Sequence, residues 1–136
     1  LVLQRQARSS TSMGDLTRNL SRSEFECKCG CGFAAADHEL VEVLQEVRDR
    51  FEATTGEKKP LIITSGCRCP THNQAVGGAK KSNHMLGIAA DFMLIGVEPS
   101  DIYDHIDGAF PDKYGLILYP SWVHLDMRKT AYRGQK

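Results

Sequence analysis

Residues 115–127 read GLILYPSWVHLDM: two apolar, β-rich runs, GLILY and WVHLDM, hinged at Pro120 and Ser121. Turn formers between two such runs predict a hairpin, and a hairpin fixes its strands as antiparallel. Upstream, LIITS at 61–65 follows Pro60, is rich in β-branched residues and reads as a buried strand whose end delivers Ser65 to Arg68 into a loop. GIAADFML at 87–94 mixes helical and extended character, and Ala89 to Leu94 is taken as a strand.

Helices fill the spaces between these strands. DHELVEVLQEVRDRF at 37–51 places Leu40, Val43, Leu44, Val47 and Phe51 at helical spacing, with Asp37 as N-cap and Gly56 beyond the end. THNQAV at 71–76 predicts a short helix stopped by Gly77 and Gly78. After Pro99, Ser100 is expected to cap a helix that turns Ile102, Tyr103 and Ile106 inward and ends at Gly108 and Pro111. The order helix, strand, helix, strand, helix, strand, strand gives an α+β fold, an antiparallel sheet flanked by helices, because a doubly wound sheet needs more crossovers.

A chain of 136 residues can bury one core. Residues 21–136 are therefore read as a single domain and 1–20 as an N-terminal arm. Residues 1–12 are polar and without pattern, and Met13 reads as a natural start, so the leading segment is set aside as an expression remnant. No apolar run of secretory length follows Arg5 and Arg8. Seventeen basic residues balance seventeen acidic ones, which argues against a nucleic-acid partner. The longest apolar stretches are too short to span a bilayer.

Five cysteines fall in two clusters, Cys27, Cys29 and Cys31 in CKCGCG and Cys67 and Cys69 in GCRCP. Spacing of the CxCxC kind matches zinc knuckles less well than paired CxxC, so one or two disulfides between the clusters are expected, with an odd thiol left over. The competing reading puts a structural zinc on Cys27, Cys29, Cys31 and Cys69 and leaves the histidines free.

SNHMLGIAAD supplies His84 and Asp91, and WVHLD supplies His124 beside Asp126. Two imidazoles and a carboxylate suit zinc, and a catalytic site keeps a fourth position open for water. Taken singly, each reads better otherwise: His84 as a loop histidine, Asp91 as a cap or a partner for a lysine, and His124 as a satisfied strand residue.

Three stretches in order, SGCRCPTHN, VGGAKKSNHMLGIAAD and PSWVHLDMR, resemble the motifs of the zinc D-alanyl-D-alanine carboxypeptidases, peptidase family M15, and SRSEFECKCGCG resembles the opening of small members. The resemblance runs from about Ser21 to Arg128. It implies a fold shared with the hedgehog signalling domain and one zinc ion (Zn2+) per chain, held by His84, Asp91 and His124. It implies that Arg68 stabilises the substrate oxyanion or carboxylate and that Ser82 contacts substrate. It implies an enzyme, a D,D-carboxypeptidase or endopeptidase acting on peptidoglycan peptides in the periplasm or cell wall, from a bacterium or from a phage lysis or tail protein. His72, Asn73, Gly77, Gly78 and Gly87 are read as scaffold, and Tyr119 and Trp122 as core or pocket wall, with a tyrosine hydroxyl able to assist an oxyanion.

Many relatives place a glutamate three residues before the last histidine, or a histidine two before it, as general base. This chain has Ser121 and Trp122 there. Asp126 is the local replacement, because residues two apart on a strand share a face. It serves either as base or as the group that orients His124. The alternative reading is a zinc-containing module that binds wall peptides or a protein partner without cleaving them.

Overall fold

The computed structural model describes residues 14–136; the leading segment and Met13 lie outside the described residues. Asp37 caps the first helix, α1 (His38–Thr55), by accepting from the Leu40 N–H, and Gly56 ends it in the left-handed conformation at φ 74°. Strand β1 (Leu61–Ser65) follows, then a short helix α2 (Pro70–Ala75) and strand β2 (Ala89–Leu94). Helix α3 (Pro99–Ala109) precedes the hairpin of β3 (Gly115–Leu118) and β4 (Val123–Asp126). Each of these elements was legible in the sequence, but α3 starts earlier than Ser100 suggests. Pro99 occupies its first turn and Glu98 is the N-cap residue, because proline's fixed φ suits a first helical position that needs no N–H donor.

Among the described residues the sheet has five strands in the order β1-β2-β4-β3-β5. The pairs β1–β2, β2–β4 and β3–β4 are antiparallel, as expected. The last strand, β5 (Tyr132–Gln135), was not foreseen, and it runs parallel to β3, so the sheet is mixed at that edge. The fold class is α+β.

One face of the sheet is the core. Ala90, Phe92, Leu116, Val123 and Leu125 are fully buried, and they cluster with Leu40, Leu44 and Val47 of α1 and Ile102 and Ile106 of α3. Leu20 is also fully buried in this cluster and Leu16 packs against it, which ties the segment before residue 21 to the domain. Strand alternation sends the intervening residues Asp91 and His124 to the opposite face, away from the helices.

Candidate active site

Asp91 and His124 are direct cross-strand partners in the β2–β4 register, so the sheet itself sets their side chains together. The His124 Nδ1 lies 2.9 Å from Asp91 Oδ1. His84 arrives from a single turn of 3-10 helix, Asn83–Leu86, capped by the Ser82 hydroxyl, which accepts from the His84 N–H at 3.1 Å. Gly87 closes that turn at φ 71°, and a Cβ there would stand 2.8 Å from the Ala35 side chain. The turn brings His84 Nε2 to 3.4 Å from Asp91 Oδ2. One donor atom from each of His84, Asp91 and His124 lies within 4.8 Å of the others.

Both rings are oriented by groups behind them. The Gly66 carbonyl can only accept, so His84 Nδ1, 2.6 Å away, carries the proton and leaves Nε2 as the lone-pair atom facing Asp91. His124 turns Nε2 toward Asp126 Oδ2 at 2.8 Å, leaving Nδ1 on the Asp91 side. Asp126 is completely buried and clamped by Arg128, whose Nε and Nη2 each donate at 2.7 Å. Gly115 on β3 makes room for this clamp: a Cβ there would sit 2.5 Å from Arg128 Nε. Arg128 was quoted in the sequence motif without a role; its place two residues after Asp126 is the signal that could have given one.

Burial alone would raise the Asp91 carboxyl, yet hydrogen bonds and charge from His124 and His84 outweigh it and hold the pKa down at about 2. Asp126 is held below the ordinary carboxylate range against the same burial penalty, by His124 and Arg128. Burial works against charge on His124, but Asp126 and Asp91 together raise its pKa above 6.5. The cluster thus offers an ionised carboxylate and two imidazoles, donor types that fit zinc.

Arg68 stands in the loop after β1. Its Nε donates to Ser65 Oγ at 3.2 Å, its Nη1 to Asn73 Oδ1 at 2.8 Å, and its Nη2 lies 3.6 Å from Asp91 Oδ2. Buried Asn73 is itself pinned by donating to the Ala79 carbonyl at 2.8 Å. Gly78 packs against this pair, where a Cβ would stand 2.6 Å from Arg68 Nη1. Asn73 and Gly78 are therefore scaffold for the arginine.

A cleft of about 680 Å³ opens over the cluster, with Lys28, Arg68, Lys81, Ser82, Tyr119 and Trp122 among its walls. Tyr119 and Trp122 stack at 4.5 Å across the hairpin turn. Burial and the Asp91 charge raise the Tyr119 pKa, so its hydroxyl stays a donor at neutral pH. The site brings together all five residues singled out in the sequence, His84, Asp91, His124, Arg68 and Asp126, with Ser82 at the rim.

The family model for peptidase M15 matches residues 18–126, a span that includes every residue of the cluster. The chain belongs to the peptidase M15 family. M15 proteins are zinc peptidases, and His84, Asp91 and His124 form a candidate metal site whose donor types fit zinc. Neither a curated protein nor a solved structure matches the chain. Among the described residues, no helix is long and apolar enough to cross a membrane.

Proposed function

We propose that this M15 domain is a D,D-carboxypeptidase or endopeptidase that hydrolyses peptidoglycan stem peptides, with His84, Asp91 and His124 as the zinc ligands. The observation that carries the reading is the convergence of two pre-oriented imidazoles and an ionised carboxylate at the floor of a cleft walled by Arg68. A zinc ion held there would polarise the scissile carbonyl and lower the pKa of water.

The chain's own residues supply the rest. Arg68, braced by Ser65 and Asn73, offers fixed positive charge to a developing oxyanion or to the substrate carboxylate. Tyr119 adds a hydroxyl donor on the same cleft. Lys28 and Lys81 add positive charge to the walls, which suits stem peptides that carry carboxylates. Asp126 fits the orienting role better than that of base: its carboxylate is buried, tied up by Arg128 and His124, and low in proton affinity.

That commitment of Asp126, with Ser121 and Trp122 where many relatives carry a base, favours a second reading, a module that binds wall peptides without turnover. Incubating the zinc-loaded protein with defined muropeptides separates the two. Release of D-alanine or of a cleaved cross-link supports the peptidase. Saturable binding of D-Ala-D-Ala peptides with no product overturns it and installs the binding module.

A further inference from the structure

We propose that Cys27, Cys29, Cys31 and Cys69 form a second zinc site, a closed structural one, which fastens the 25–33 segment to the loop that carries Arg68. Its ligands are not those of the cleft, and the proposal does not rest on the activity assigned there. Sulfur atoms of these four residues all lie within 4.8 Å of one another. Cys27 is 3.5 Å from Cys29 and 3.8 Å from Cys69, and Cys29 is 3.7 Å from Cys69. A tetrahedral zinc with bonds of about 2.3 Å has sulfur–sulfur edges of about 3.8 Å, so these separations are those of a common central ion. A disulfide needs about 2.05 Å. The two cysteine clusters do meet, as the sequence led one to expect, but the five thiols are free and four of them gather in one group rather than pairing off.

Attraction between thiols does not account for the gathering. S–H is a weak donor and sulfur a weak acceptor, and Cys29 and Cys31 are exposed, so water competes for both. The backbone is nevertheless bent to bring them in. Gly30 and Gly32 adopt φ 83° and 89°, with nothing crowding either Cα, and the Cys27 N–H closes the loop on the Phe33 carbonyl at 2.7 Å. Backbone N–H groups also point at the sulfurs, from Cys69 to Cys27 and from His72 to Cys69, each at 3.4 Å, an arrangement that favours thiolate. The fifth cysteine marks the contrast: Cys67 is buried, lies outside the group and spends its S–H on the Phe25 and Phe33 carbonyls, at 3.0 and 3.1 Å.

Four thiolates leave no open coordination position, which makes the site structural, and soft sulfur selects zinc over magnesium or calcium. Binding releases the thiol protons and needs no oxidant. The ion would hold Lys28 and Arg68, both next to ligands in sequence, on the walls of the cleft.

Elemental analysis of protein purified under reducing, zinc-replete conditions tests this. Two zinc ions per chain are expected in the wild type, and one should persist in the double variant His84→Ala/His124→Ala. Cobalt exchanged into that variant should give the intense near-ultraviolet thiolate-to-metal band, and Cys31→Ser should weaken it. Should the cysteine variant fold poorly, alkylation of the wild type is the second measure: a chelator should expose the four thiols. A histidine double variant devoid of metal, a cobalt spectrum without thiolate bands, thiol reactivity indifferent to chelation, or a Cys27–Cys69 disulfide in the native protein each overturns the proposal. None of these readouts involves hydrolysis, so a failed peptidase assay leaves them intact.

Discussion

The histidine–carboxylate cluster and the cysteine cluster sit on either side of Arg68 and are built in opposite ways. Asp91 and His124 lie opposite one another in the register of two central strands, and Gly66, Asp126 and Arg128 hold the rings from behind. The proposed cleft ligands are thus aligned by the fold itself. The cysteines come from loops, two of them are exposed, and backbone N–H donors and a glycine turn hold them. A ligand set placed by the sheet can lose its ion and keep its shape, whereas one placed by loops depends on the ion for its order.

The largest effects should therefore divide cleanly between activity and stability. His84→Ala or His124→Ala should remove the cleft zinc and all hydrolysis, and should lower the melting temperature by less than loss of the cysteine site does, because the sheet keeps its order without the ion. Cys31→Ser should leave the cleft zinc in place and lower the melting temperature more, since it loses both the stabilisation by a tightly bound ion, about 4 kcal/mol at a thousandfold excess over its dissociation constant, and the order of the loops that the ion ties together. Thermal unfolding and zinc content measured side by side check both. Equal stability losses in the two variants would break the comparison.

Arg68 tests whether the two regions communicate. Arg68→Ala should lower turnover by about a hundredfold or more with both metals retained, because the charge it provides acts on the transition state. Steady-state kinetics with metal analysis decides this, and loss of zinc along with the rate would make Arg68 a structural residue instead.

The sequence carried the cleft better than the cysteines for a physical reason. Asp91 and His124 belong to strands that are legible locally, in AADFML and WVHLD, but the register that sets them opposite one another was not foreseen, and only the family motifs joined them in one site. His84 needed the family motifs, since a single 3-10 turn has no periodicity to read. The meeting of Cys27 with Cys69 spans 42 positions. The loop that carries Cys29 and Cys31 also turns at Gly30 and Gly32 with positive φ, which spacing alone does not encode. Strand β5 escaped because TAYRGQ lacks apolar alternation: its residues range from half-buried to exposed at the sheet edge, held by pairing to β3 rather than by a core face.

Asp126 sharpens the contrast on the cleft side. Asp126→Asn should weaken cleft zinc by about tenfold, because the amide no longer holds the His124 N–H as a carboxylate does, while the cysteine-bound zinc stays put. Competition with a chromophoric chelator would resolve the two ions. Turnover abolished at unchanged zinc affinity would make Asp126 the base after all.

The smallest expected effect is a dependence on pH, and it separates the metal-free cleft from the loaded one. In the metal-free protein, Asp126 and Asp91 outweigh burial and raise the His124 pKa above 6.5. A group whose folded pKa is raised stabilises fully below its unfolded pKa, and that contribution fades as pH climbs through the folded value. The chelator-treated protein should thus lose a little stability as pH rises from about 6.5, and His124→Gln should lack that component. Zinc requires the ring unprotonated at Nδ1, so cleft affinity should increase over the same rise. Melting curves and zinc titrations across this window should therefore slope in opposite directions. Parallel slopes would mean that the proton and the metal do not compete for His124, and that the ligand lies elsewhere.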